Sequence, residues 1–141
     1  MLRLGKGNRL MNSFLVTALI AGLIINAADI AITLMFAAKP WNDVLKGQGI
    51  EPSPFTPPYY IMANFIGAGF LLSAYKLAVP SLGSGSETAF VISLSLWAVT
   101  RLYGGGHAVM RQMPWRLFAI MSSGLGLGYL LAGQFISGWL E

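Results

Sequence analysis

Cysteine is absent from this 141-residue sequence, and histidine occurs once, at His107. Without cysteine there are no disulfides, no thiolate nucleophile and no thiolate metal ligands. A single histidine also excludes a multi-histidine metal centre inside one chain. Charge is the next scarcity: five acidic and nine basic residues amount to 10% of the chain. Soluble domains average about 25% charged residues. Hydrophobic residues reach 55% and the mean hydropathy is +0.65. Too little polar surface is available to cover a small soluble fold, so lipid is expected to solvate much of the exterior. The net charge of +4 does not indicate a nucleic-acid surface, because the basic residues stand singly between apolar stretches. Basic side chains near helix ends are expected wherever anionic headgroups lie.

What the chain does have is long apolar runs. A hydrocarbon core needs about 20 apolar residues in a helix, and four stretches meet or approach that length. The expected architecture is all-α: an integral membrane four-helix bundle forming one transmembrane domain over residues 1–141. Its helices are expected at about 13–38, 59–79, 87–110 and 114–139. Arg101 and the run Gly104-Gly105-Gly106 interrupt the third, which could stop near Tyr103. The basic stretch MLRLGKGNR before the first run resembles the start of a signal peptide. The run is too long for one and no small-x-small site follows it, so an uncleaved anchor is expected. Arg3, Lys6 and Arg9 argue for a cytoplasmic N-terminus, with the bacterial inner membrane as the expected location.

Residues 40–58 form the longest connection and hold Pro40, Pro52, Pro54, Pro57 and Pro58. Proline removes amide donors and pushes its predecessor into extended geometry. An ordered Pro-rich loop covering the mouth of the bundle is the expectation. Trp41, Phe55, Tyr59 and Tyr60 fit an interfacial aromatic belt. The string PPYY also matches a Pro-Pro-x-Tyr peptide ligand, although a helix start with belt tyrosines explains it more simply. The segment PSLGSGSE is short and makes the second and third helices antiparallel neighbours.

Against this apolar background Asp29 stands out, one turn beyond Asn26 in the first span. A carboxylate in hydrocarbon faces the protein interior and is paired, protonated or hydrated. Gly22, Asn26, Asp29 and Thr33 recur at helical spacing on one face. Ser93, Trp97, Arg101, Gly104 and Ala108 form the corresponding stripe on the third helix. Asp29 lies about 16 residues into its helix, or roughly 24 Å. Arg101 lies about 14 residues into a helix of the same direction, or roughly 21 Å. Matched height predicts a buried Asp29–Arg101 salt bridge, suited to the planar fork of arginine. Asn26, Asp29, Asn64, Arg101, Tyr103 and His107 are expected to line one pocket beneath the Pro-rich loop. One alternative is a purely structural ion pair that fixes helix register; the other is that Arg101 snorkels to the interface, leaving Asp29 protonated or paired across a subunit contact. Gly124, Gly128 and Ala132 make a small-residue face for close helix contact, either within the bundle or between copies. The string GLGLG lacks the strand that a dinucleotide fingerprint needs. Lys76 most simply reaches its headgroup layer.

NFIGAGFLL in the second helix and TRLYGGGHAVMRQMP in the third resemble small, uncharacterised bacterial four-helix integral membrane proteins, over residues 59–116. There, a polar residue precedes paired small residues in the second helix, and a basic residue in the third precedes a Gly-containing turn. Here the second helix has Gly-Ala-Gly in place of adjacent glycines. The resemblance implies the four-helix architecture and no activity, cofactor or site residue.

Three functions fit these residues. The first is a binding or assembly component, joining other membrane subunits or copies of itself through small-residue faces such as Gly124, Gly128 and Ala132. The second is a membrane enzyme, an isomerase or hydrolase acting on a small apolar substrate. Asp29 would be its base, Arg101 the charge partner, and Tyr103 or His107 the proton donor. The third is an oligomeric transporter with a proton or cation site at Asp29. No metal site or cofactor is expected. Haem ligation through His107 would need a second axial ligand from another copy or a partner. A purified sample is therefore expected to lack a Soret band, and a strong one in its visible spectrum would reverse that reading.

Overall fold

The computed structural model describes residues 6–52, 58–110 and 113–140, with side chains described for 13–52, 58–105 and 113–140. Among these the fold is all helix, with no strand. The first rod comprises α1 (Lys6–Ile32), a π-helical segment (Thr33–Ala37) and α2 (Ala38–Gly47). Three further rods follow: α3 (Pro58–Leu82), α4 (Ser86–Met110) and α5 (Trp115–Leu140). The first rod, α3 and α5 are each long and apolar enough to cross a membrane. α4, with Glu87 and Arg101 in its sequence, is not among them.

The first rod runs well past the expected boundary at Ala38. Pro40 does not stop it, because α2 starts at Ala38 and places Pro40 in its first turn. There the missing amide hydrogen has little to satisfy. The preceding π-helical segment widens the ladder, and Ala37 marks the change with φ −112° and ψ −19°. Residues 40–47 are thus helix, not loop, and the connection narrows to Gln48 onward; residues 53–57, with Phe55, lie outside the described residues. The rod is roughly 60 Å long at about 1.5 Å per residue, twice the hydrocarbon thickness of about 30 Å. Pro58 opens α3 at the first helical position, where proline is favoured. The glycine run does not break α4, which continues through Gly104–Gly106 to Met110.

The four rods pack in a ring in the order α1, α3, α4, α5, with α5 returning to α1. α1 and α5 make the most extensive contact, and α3 and α4 touch least of the adjacent pairs. Glycine explains the tight seams. A Cβ on Gly128 would lie 2.9 Å from the Cα and carbonyl oxygen of Ile25. One on Gly124 would lie 2.9 Å from Ile32 Cβ and 3.3 Å from the Asp29 carbonyl. On the other side of α5, Gly126 receives the Trp97 indole and Gly133 receives Ser93 and the Ala89 carbonyl of α4. Of the two contacts open to the Gly124–Gly128–Ala132 face, the fold uses the internal one, against α1.

Ile25, Ala68, Leu71, Leu72, Tyr75 and Ile136 form the centre of the core. The outside is apolar as well: Leu19, Leu23, Met62, Ile66, Phe70, Val99 and Leu102 are exposed. One end of the ring is fastened by the α3–α4 turn. Gly83 and Gly85 adopt positive φ (84° and 118°), a conformation that suits glycine. The Gly85 amide donates to the Tyr75 hydroxyl at 3.0 Å, and Thr88 Oγ1 donates to the Gly83 carbonyl at 2.8 Å. Gln134 Nε2 of α5 donates to the Ser86 carbonyl at 3.1 Å.

Gly128→Ala sets a methyl against backbone that cannot swing aside. It should lower stability by about 1–3 kcal/mol, the usual cost of overpacking. Gly138→Ala, with no described atom within 4 Å of the new Cβ, should leave stability unchanged or raise it by up to about 1 kcal/mol. Thermal unfolding of both variants in one detergent reads the difference.

Candidate functional site

Helical periodicity gives α1 two inner faces. Ile25, the Asp29 carbonyl and Ile32 meet α5, while Gly22 and Asn26 meet α3, where Phe65 sits over Gly22. The Asp29 side chain emerges between these faces, towards the centre. Asn26 is 7% exposed. Its Nδ2 donates to the Gly22 carbonyl at 3.0 Å and to the Ile61 carbonyl of α3 at 3.4 Å. Asn64 of α3 then donates from Nδ2 to Asn26 Oδ1 at 2.9 Å and to Asp29 Oδ2 at 3.4 Å. Two amides and a carboxylate thus form one hydrogen-bonded bridge between α1 and α3.

Arg101 approaches from α4. The expected salt bridge is absent: Asp29 and Arg101 are within electrostatic range of each other but form no ion pair. Ring order supplies the reason. α1 and α4 lie on a diagonal, and with adjacent axes about 8–10 Å apart a diagonal exceeds the reach of a short aspartate. Arg101 is also within electrostatic range of Tyr129 on α5 and Tyr60 on α3, so each of the other rods has one polar group within range of it. Its Nε is buried and has no hydrogen-bond partner among the described residues. One turn away, Trp97 Nε1 donates to the Ser122 carbonyl at 2.8 Å and ties α4 to α5.

The residues expected to line one pocket are placed as follows. Asn26, Asp29, Asn64 and Arg101 converge at one end of the ring. Tyr103 does not join them; its side chain is 79% exposed, because a residue two places from an inward Arg101 lies on the opposite side of a helix. His107 lies on α4, but its side chain is outside the described residues, as is that of Ala108. Ser93 and Trp97 do face inward, as their stripe implies, with Ser93 fully buried.

Two residues of the cluster were not anticipated as site residues. Tyr60 reads as an interfacial tyrosine, and Tyr129 reads as part of a glycine-rich packing face. Tyr129 is 5% exposed, and its hydroxyl lies over Gly67 of α3, where any Cβ would collide with it. The signal was present in the sequence: a phenol amid small residues carries a polar tip that must be accommodated when buried.

Comparison with family models, curated proteins and solved structures gives no match. The chain receives no family assignment. The likeness over residues 59–116 accordingly carries nothing further.

The amide bridge and the charged diagonal differ in a measurable way. A double-mutant cycle on Asn26→Ala and Asn64→Ala should give a coupling of about 0.6–1.7 kcal/mol, the range for interhelical hydrogen bonds in membranes. The cycle on Asp29→Asn and Arg101→Gln should give a smaller one, since those groups do not touch. Thermal denaturation in detergent measures both, and a reversed order would mean that the charges pair directly.

Proposed function

We propose that this chain is a small integral membrane protein, a four-helix bundle acting as a binding or assembly component of a membrane complex. Its intramembrane site is the polar cluster of Asn26, Asp29, Asn64 and Arg101. The observation that carries the reading is the contrast between outside and inside. Every rod presents exposed Leu, Ile, Val, Met or Phe outward, while the Asp29–Asn64 contact and Arg101 lie towards the centre. A helix apolar all round belongs in lipid or in a larger apolar assembly. Ionisable groups kept inside such an assembly are rare and serve a purpose.

The length of the first rod fits the same picture. About 20 residues span hydrocarbon, so the rod has a surplus that emerges on one side as α2. There Trp41, Val44 and Leu45 are half-buried, and Lys39, Asp43 and Lys46 are exposed, an arrangement suited to the headgroup layer. In this reading the N-terminus is cytoplasmic, by the basic residues that precede the span, and the membrane is the bacterial inner membrane.

The binding role is preferred to catalysis for one structural reason. The enzyme reading needs Tyr103 or His107 beside Asp29 as a proton donor. Tyr103 points outward, and the groups that do converge are two amides, one carboxylate and one guanidinium. They hold and orient more readily than they exchange protons. Partners would be lipid and other membrane subunits.

Two measurements test the proposal. The chain should stay in the pellet when membranes are washed with alkaline carbonate; release into the supernatant would refute the membrane assignment. Native mass measurement in mild detergent should show the chain bound to another subunit or to a second copy. A solitary chain under conditions that preserve known complexes would refute the assembly role.

A further inference from the structure

Resting on the reading of the Arg101 cluster as an intramembrane binding site, we propose that Arg101 receives the anionic headgroup of an amphiphile. The headgroup is a phosphate or carboxylate, and its acyl chain lies between α3 and α4. Four observations converge on this ligand class.

The first is an unused donor. Guanidinium carries five N–H groups in a planar fork, and the buried Nε of Arg101 has no acceptor among the described residues. Asp29, the carboxylate that would ordinarily take it, forms no ion pair with it and accepts instead from Asn64. Arginine binds oxyanions through paired charge-assisted bonds, so an external oxyanion supplies what the fold withholds.

The second is space on the same helix face. Gly104 and Gly105 follow Arg101 by three and four residues, the spacing of helical neighbours. A Cβ on Gly104 would meet no described atom within 4 Å, and one on Gly105 would meet only Phe118, at 3.8 Å. Among the described residues of α4, the two positions that follow Arg101 at helical-neighbour spacing thus carry no side chain. Asp29 approaches Arg101 from α1, so an anion seated over the glycines makes the guanidinium the cation between two negative charges.

The third is a route for an acyl chain. α3 and α4 make the weakest of the four seams, and the end that carries Arg101 is opposite the turn that joins them. Val99 and Leu102 of α4 are 64% and 81% exposed there. Tyr60 of α3, within electrostatic range of Arg101, is 44% exposed, and its phenol presents a hydroxyl at the edge of this apolar strip.

The fourth is the state of Lys76, a basic residue of α3. It is exposed, and its Nζ lies 5.3 Å from the centroid of the Phe14 ring, already in a cation–π contact. It borders a hollow of about 230 Å³ with Tyr75, Val79, Ser84 and Leu140, near the opposite end of the ring. That arrangement makes Lys76 an internal control for non-specific attraction of anions.

The test uses the full chain in a mild non-ionic detergent and reads bound mass by native mass spectrometry. Dioleoyl phosphatidic acid, oleate, dioleoylglycerol and inorganic phosphate are added separately. One phosphatidic acid or oleate per chain is expected, with dioleoylglycerol and inorganic phosphate each bound at least about tenfold more weakly. Tenfold is roughly what losing one charge-assisted hydrogen bond costs. Arg101→Gln should reduce anionic binding by about tenfold or more. Gly104→Leu, which keeps the charge and fills the space, should do the same, and it decides the matter if Arg101→Gln fails to fold. Lys76→Gln should change nothing. Equal binding of dioleoylglycerol, indifference to both Arg101→Gln and Gly104→Leu, or loss caused by Lys76→Gln would overturn the proposal. Inorganic phosphate binding as tightly as phosphatidic acid would overturn the role of the acyl chain. If the chain stays in carbonate-washed membranes and in its complex yet shows none of this selectivity, the lipid inference alone fails. If carbonate releases it, the membrane reading fails first.

Discussion

The backbone contact between α1 and α5 constrains everything else. Where a Cβ on Gly128 would meet Ile25 Cα at 2.9 Å, the two helices are as close as glycine allows. In lipid there is little hydrophobic force between helices, so association relies on van der Waals packing and interhelical hydrogen bonds. Close backbones maximise the first. α5 does this on two sides, with Gly124 and Gly128 against α1 and with Gly126 and Gly133 against α4. It becomes the element that fixes the rotation of both. Once α1 is seated with Ile25 and Ile32 on α5, Asn26 must face α3 and the Asp29 side chain must point inward between the two.

That rotation also explains why the charges stay apart. Asp29 and Arg101 lie at the same end of the ring, at the matched heights that their positions along the helices imply. What separates them is the order of the rods around the ring. Height follows from counting residues at a fixed rise. Order depends on which seams are tightest, and the α5 glycines decide it by taking α1 and α4 as neighbours, which leaves those two diagonal. A salt bridge inferred from depth alone is then replaced by an amide bridge along an edge. Asn64 could be placed near the site from its position at the start of α3, but its role as hydrogen-bond donor to both Asn26 and Asp29 could not.

Other features were legible to different degrees for equally physical reasons. Four helical stretches follow from long apolar runs, and the boundaries of α3, α4 and α5 fall within a few residues of those expected. The exit of the first helix was misplaced because proline reads as a breaker when its position within the turn is unknown. Here a π-helical segment resets the ladder just before Pro40, and the penalty is avoided. Three glycines after Tyr103 suggest an interruption, yet α4 runs through them. Tyr129 was missed because periodicity marks which face is buried and does not tell which buried residue has a polar tip needing a place.

Gly67 and the α4 glycines use the same absence of a side chain in opposite ways. At Gly67 the vacant space is filled by the Tyr129 hydroxyl crossing from α5, which closes the centre of the ring. At Gly104 no described residue fills it. A protein that needed only to neutralise Arg101 could place an acid on either adjacent rod, α3 or α5, where reach is not limiting. Instead it offers a phenol from each and keeps Asp29 on the diagonal, hydrogen-bonded to Asn64. Phenols donate to an anion as readily as they accept from a guanidinium, so they surround the cation without consuming it. A buried donor left without an acceptor is costly, and among the described residues the Nε of the half-buried Arg101 is such a donor, so the cluster around it is satisfied on the Asn26–Asn64–Asp29 side and not on the α4 side.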